Sequence, residues 1–108
     1  MRILEDYEAK LRPPPGVGAG RGKVEWERYG DGSEVFYARF RKLDLRDDAV
    51  VEVRLDGAVL GNISISGGAG RLKFDSKDGR EVPKAVTGQV VEVVYRDMVV
   101  LTGIFEPD

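Results

Sequence analysis

Three groups of side chains in this sequence have types and spacings that suit chemistry. The first is acidic. Asp75, Asp78 and Glu81 fall in one polar stretch with Ser76 and Gly79. Carboxylates spaced closely around a glycine turn can hold calcium through hard oxygen ligands. The order differs from the EF-hand loop, because Phe74 and Ser76 stand where its first two carboxylates would be. Lys77 and Arg80 also offset part of the charge, so a solvated acidic turn is the competing expectation. The second group is basic and aromatic. Tyr37, Arg39 and Arg41 alternate along one strand face, with Lys42 and Arg54 as possible neighbours. Such a surface suits single-stranded nucleic acid or acidic sugars. The alternative is an outward face whose long stems shade apolar neighbours, and Asp44, Asp47 and Asp48 compensate it locally. With 17 basic against 19 acidic residues, the chain lacks the basic excess of a dedicated nucleic-acid binder.

The third group is Asn62-Ile63-Ser64-Ile65-Ser66-Gly67. It resembles the N-x-S-x-x-G half of the PilZ signature for cyclic di-GMP. In that family an upstream R-x-x-x-R element clamps the phosphates and stacks on guanine. Here Arg41 and Arg46 are five apart rather than four. The resemblance implies ligand contacts from Asn62, Ser64 and Gly67, with Arg41 or Arg46 as the clamp. Asn, Ser and Gly in this order also suit a plain exit from a strand into a turn.

Other chemistry is excluded by residue type. There is no Cys and no His, which removes disulfides, thiolate zinc sites, imidazole bases and Cys or His nucleophiles. Gly16, Gly18 and Gly20 follow prolines and no G-K-[ST] occurs, so the loop is not a P-loop. No carboxylate pair is placed by a motif, so the chain reads as a non-enzyme, and no cofactor is expected.

The elements that must position these residues are short alternating runs separated by Gly and Asp turns. With 108 residues there is room for one domain. Residues 1–12 read as an N-terminal strand or arm, and residues 13–22 as a Pro/Gly loop. Val24 and Trp26 share a strand face, as do Phe36, Ala38 and Phe40. Val51, Val53 and Leu55 run into Asp56-Gly57, a type I′ hairpin signal. Ile63, Ile65, Leu72 and Phe74 point inward next. The last hairpin is apolar on both faces. Val91, Val93, Tyr95, Val99, Leu101 and Phe105 form one, and Val90, Val94, Met98, Val100 and Ile104 the other. A strand apolar on both sides is covered on both. Ile3 and Leu4, or a second subunit, would supply the cover. The expected interface residues are therefore Ile3, Leu4, Val94, Met98, Val100 and Ile104, and the expected partner is protein, most simply another copy of the chain. The rhythm predicts an all-β antiparallel sandwich of seven or eight strands on an immunoglobulin-like Greek-key path, with little or no helix.

From Val50 onward Leu55-Asp56-Gly57, Leu60-Gly61, Gly70-Arg71-Leu72, Phe74-Asp75-Ser76, Val82-Pro83 and Gly103-Ile104-Phe105 resemble small bacterial β-sandwich modules of unassigned function. Upstream, Gly22 to Trp26 and Gly30-Asp31-Gly32 are similar to their opening, and to the chordin-type (CHRD) sandwich. That family has characteristic His residues and this chain has none, so no metal role carries over. The resemblance implies a non-catalytic sandwich. The expected function is a structural or protein-interaction module, assembling by strand pairing or an apolar sheet face. A PilZ-like cyclic di-GMP sensor is the alternative. No apolar run approaches a membrane span. Acidic Glu5 and Asp6 break any signal-peptide core, so the chain is expected in the cytoplasm, or outside it if a leader has been removed.

Overall fold

The computed structural model describes residues 2–108. Among these, nine strands form two antiparallel sheets. They are β1 (Ile3–Leu11), β2 (Arg21–Tyr29), β3 (Glu34–Arg41), β4 (Val50–Leu55), β5 (Ala58–Ser64), β6 (Gly70–Asp75), β7 (Val90–Tyr95), β8 (Met98–Ile104) and β9 (Glu106–Pro107). One sheet has the order β6-β3-β2-β1-β9 and the other β5-β4-β7-β8. The result is a β-sandwich, whose only helical element among the described residues is a 3-10 turn at Ser76–Asp78. β9 is only two residues long, which takes the count past the seven or eight that alternation indicates.

The alternating residues explain the two layers. Ala9, Leu11, Val24, Trp26, Phe36 and Ala38 point inward from the five-stranded sheet. Val51, Val53, Val91, Val93 and Leu101 meet them from the four-stranded sheet. Trp26, Phe36 and Phe105 are the largest buried side chains, and the Phe36 ring packs edge-on against Phe74 and Phe105 at 6.1 and 6.2 Å. Burying each such ring contributes roughly 1.5–3 kcal/mol relative to leaving it exposed.

The sandwich closes along both sides. On one side Arg12 and Thr102 exchange backbone hydrogen bonds of 2.9 Å, stitching the end of β1 to β8. Gly103 permits that approach, since a Cβ there would collide with the Lys10 carbonyl. On the other side Ser66 and Ala69 form a bridge in the turn between β5 and β6. β7 pairs with β4 after a connection through residues 76–89, so β4, β5, β6 and β7 trace a Greek-key path around the barrel-like layer pair.

Residues 1–12 were open to packing within the chain or against a neighbour. The structure places β1 within its own sheet, between β2 and β9. The two-faced hairpin is resolved by a register slip between Val93 and Val94. A bulge of this kind turns one residue over to the other face. Val100 is consequently the buried residue, at 6% exposure, and Val99 is half-buried. Val94 is also buried, at 2%. This corrects the expectation that Val94 and Val100 lie on an interface, because neither has surface left to offer.

Candidate functional site

The outer face of the five-stranded sheet holds the densest set of charged side chains that the fold brings together. Each strand contributes alternate residues, and the antiparallel register sorts them by sign. Arg71 lies opposite Arg39, Arg39 opposite Lys23, and Lys23 opposite Lys10. These four cations form a row across four strands. One step further toward the 13–20 loop, Arg21 lies opposite Arg41. In the other direction the sign inverts on β1 and β2, while the Glu25 row continues through Tyr37 to Lys73 on β6. Glu25 is opposite Glu8, and Glu27 is opposite Asp6. Asp75 lies in the Glu27 row, across Val35. Asp108 extends that row, its N–H donating to the Asp6 carbonyl at 3.0 Å.

The alternation in the strands produces this division. β1 reads Asp6, Glu8, Lys10 on its outer face, acid to base. β2 runs the opposite way and reads Arg21, Lys23, Glu25, Glu27, base to acid. Antiparallel pairing therefore puts like with like. Directly opposed like charges destabilise a sheet pair. Contacts across the boundary offset part of that cost. Lys23 Nζ lies 3.4 Å from Glu8 and 3.3 Å from Glu25, and Arg39 lies 3.3 Å from the same Glu25. The Lys23 ammonium is held above its ordinary pKa, first by its hydrogen bond to Glu25 and then by the charges of Glu25 and Glu8.

The acidic half shows the opposite strain. Asp6 is pushed up to about 6, mainly by burial and then by the charges of Asp108, Glu27 and Glu25. Its Oδ1 is buried without a hydrogen-bond partner. Tyr29 is also raised, by burial first and then by Glu27. Tyr37 sits at the boundary, with the Arg39 guanidinium 5.5 Å and the Lys73 ammonium 5.7 Å from its ring centre. The basic half is an open groove of about 480 Å³, lined by Arg21, Gly22, Lys23, Arg39, Phe40 and Arg41.

Other expected sites are placed differently. Asn62 and Ser64 lie opposite Glu52 and Val50 on the outer face of the four-stranded sheet. Arg41 belongs to the outer face of the other sheet, so the core separates it from them. Arg46 lies in the 42–49 connection, which is joined to the Gly67 turn by Asp47 Oδ1 accepting the Gly67 N–H at 2.8 Å. That N–H is thus already engaged, and the nucleotide constellation is not assembled.

The calcium expectation is likewise corrected. Among the described residues no three carboxylates converge as a metal set. Asp75 instead caps the 3-10 turn, its Oδ1 accepting the Lys77 N–H at 2.9 Å, and Gly79 ends the turn at φ 75°. Asp78 and Glu81 are exposed beside it.

Ile3, Leu4, Met98 and Ile104 are exposed at 46%, 53%, 49% and 54%. They do not share a patch. Ile3 pairs with Tyr29 at one end of the sandwich. Met98 opens β8 just after the β7–β8 turn, and β8 runs antiparallel to β1, which puts it toward the other end. Tyr37, Arg39 and Arg41 do belong to the charged face, whereas Lys10, Arg21, Lys23 and Arg71 were not singled out from sequence. The signal that finds them is the sign of charge at alternate positions along each strand. No protein-family model and no curated protein matches this chain.

Proposed function

We propose that this chain is a non-enzymatic protein-interaction module that binds through the outer face of its five-stranded sheet. The observation that carries the reading is the sorting of that face into a cationic half and a half that is anionic except for Lys73 on β6. Charge patterns of this kind fix register and orientation between proteins more than they supply raw affinity. Among the exposed apolar residues, Ile3 and Met98 lie toward opposite ends of the sandwich. Self-addition of residues 1–12 to a neighbour's edge is not favoured, because β1 is already paired on both sides over part of its length.

The test places a photo-activated benzoylphenylalanine at Tyr37, on the face, and at Val59, on the other sheet. Irradiation in the source cell is expected to yield discrete protein adducts from position 37 and none from 59. Equal adducts at both positions, or none at 37, would remove the proposal.

A further inference from the structure

We infer that the partner seated on this face is a second copy of the chain, packed face to face about a two-fold axis that runs across the strands. The inference rests on the reading of the face as the interaction surface.

The argument is geometric. An axis lying in the interface and perpendicular to the strands inverts position along each strand and keeps position across them. It brings Arg21 over the second copy's Glu27 and Arg41 over Val35, between Glu27 and Asp75, and the reverse contact forms by symmetry. Isologous interfaces have this reciprocity. Lys10 and Lys23 then meet Glu8 and Glu25, and Arg39 meets the Tyr37 ring; Arg71 faces Lys73, the one like-charge contact in the arrangement. An axis parallel to the strands would instead stack base on base, which selects against it.

A polyanion fits less well. Rows two residues apart are separated by about 7 Å. That is within the Debye length of about 8 Å at physiological salt. A strand of phosphates lying on the Arg39–Lys23 row would therefore feel the Glu8 and Glu25 carboxylates beside it. A second copy offers each sign its opposite on β2, where Arg21 and Lys23 meet Glu27 and Glu25.

The face also sets the strength. Four strands of six to nine residues, spaced about 4.8 Å apart, present roughly 500 Å² per copy. The total falls below about 1,200 Å², the range of transient complexes. The dimer is accordingly weak, rapidly exchanging and salt-sensitive.

Sedimentation equilibrium of the wild type over a wide concentration range tests this. Self-association is expected at about 0.01 M salt, with the dissociation constant rising at least about tenfold toward 1 M as the Debye length drops from about 30 to about 3 Å. Two reversal variants follow. Arg21→Glu with Arg41→Glu turns the Arg21–Arg41 row acidic, and Glu27→Lys with Asp108→Lys puts a cation where Arg21 of the second copy must land. Each alone is expected to be monomeric, and a mixture of the two to associate. A monomeric wild type at low salt overturns the inference. So do variants that still dimerise, or a mixture that does not associate. If either variant fails to fold, carbodiimide cross-linking of mixed labelled and unlabelled wild type decides. Links between copies from Lys10 or Lys23 to Glu25 or Glu27 support the arrangement, and their absence overturns it. A monomeric wild type that still gives adducts to another protein from position 37 would sink the second copy while leaving the face as the interaction surface.

Discussion

Replacing Asp6 with Asn removes the one carboxyl that the fold holds furthest from its ordinary value. In the folded chain it titrates at about 6, against 3.8 for an unperturbed aspartate. The ionised form is therefore disfavoured by folding. Stability linked to this group is fully present below 3.8 and is lost as pH rises through about 6. The amide cannot ionise, so Asp6→Asn should match the wild type in acid and exceed it above pH 6. A displacement from 3.8 to about 6 corresponds to about 3 kcal/mol at 1.36 kcal/mol per pKa unit. This face is open to water, and screening reduces the expected gain to about 1 kcal/mol. The groups that face Asp6 are Glu25, Glu27 and Tyr29 from β2 and Asp108 beyond β9, and none of them is cationic. Urea unfolding of both proteins on either side of pH 6 measures the effect. A gain of about 1 kcal/mol moves the midpoint by roughly 0.3–1 M. An advantage independent of pH, or a wild type more stable than the variant in alkali, would refute the reasoning.

Other perturbations test the fold. Gly103→Ala drives a methyl into the Lys10 carbonyl and the Leu11 side chain; it should cost about 1–3 kcal/mol, and thermal unfolding followed by circular dichroism reads it. Leu11→Ala empties a site only 1% exposed and should cost about 2–5 kcal/mol in chemical denaturation, without changing the far-ultraviolet spectrum. In the β7–β8 turn Arg96 and Asp97 both have positive φ, 48° and 63°. Left-handed backbone costs a non-glycine residue about 1–2 kcal/mol, so Asp97→Gly should raise the unfolding free energy by about 0.5–1 kcal/mol after the chain-entropy penalty of glycine. A destabilised Asp97→Gly would show that this turn depends on the aspartate side chain.

The layers were legible in the sequence because strand burial has a period of two, and so were most inward residues. Val24, Trp26, Phe36, Ala38, Val51 and Val53 alternate with positions that keep some exposure, and all six are buried. The Asp56-Gly57 turn was legible for a local reason as well, since both residues take positive φ, 48° and 85°. The last hairpin was not, because a bulge leaves no mark in an unbroken apolar run. Met98-Val99-Val100-Leu101 reads equally well in either register, and the slip beside Val93 alone decides that Val100 is inside. The candidate site was half legible in a more instructive way. Each strand carries its own sequence of signs, but the sign of a row depends on which residues pair. Lys23 acquires its meaning only when Lys10 and Arg39 are found opposite it, through hairpins whose loops differ greatly in length. Single-strand alternation can therefore locate a charged outer face, but only register shows that the face is divided. The division matters because opposite charges placed across from one another would gain cross-strand stability. This chain instead accepts opposed like charges in adjacent rows and keeps Asp6 strained beside Asp108, Glu27 and Glu25. Internal ion pairs from Lys23 and Arg39 to Glu8 and Glu25 neutralise only the boundary between the rows.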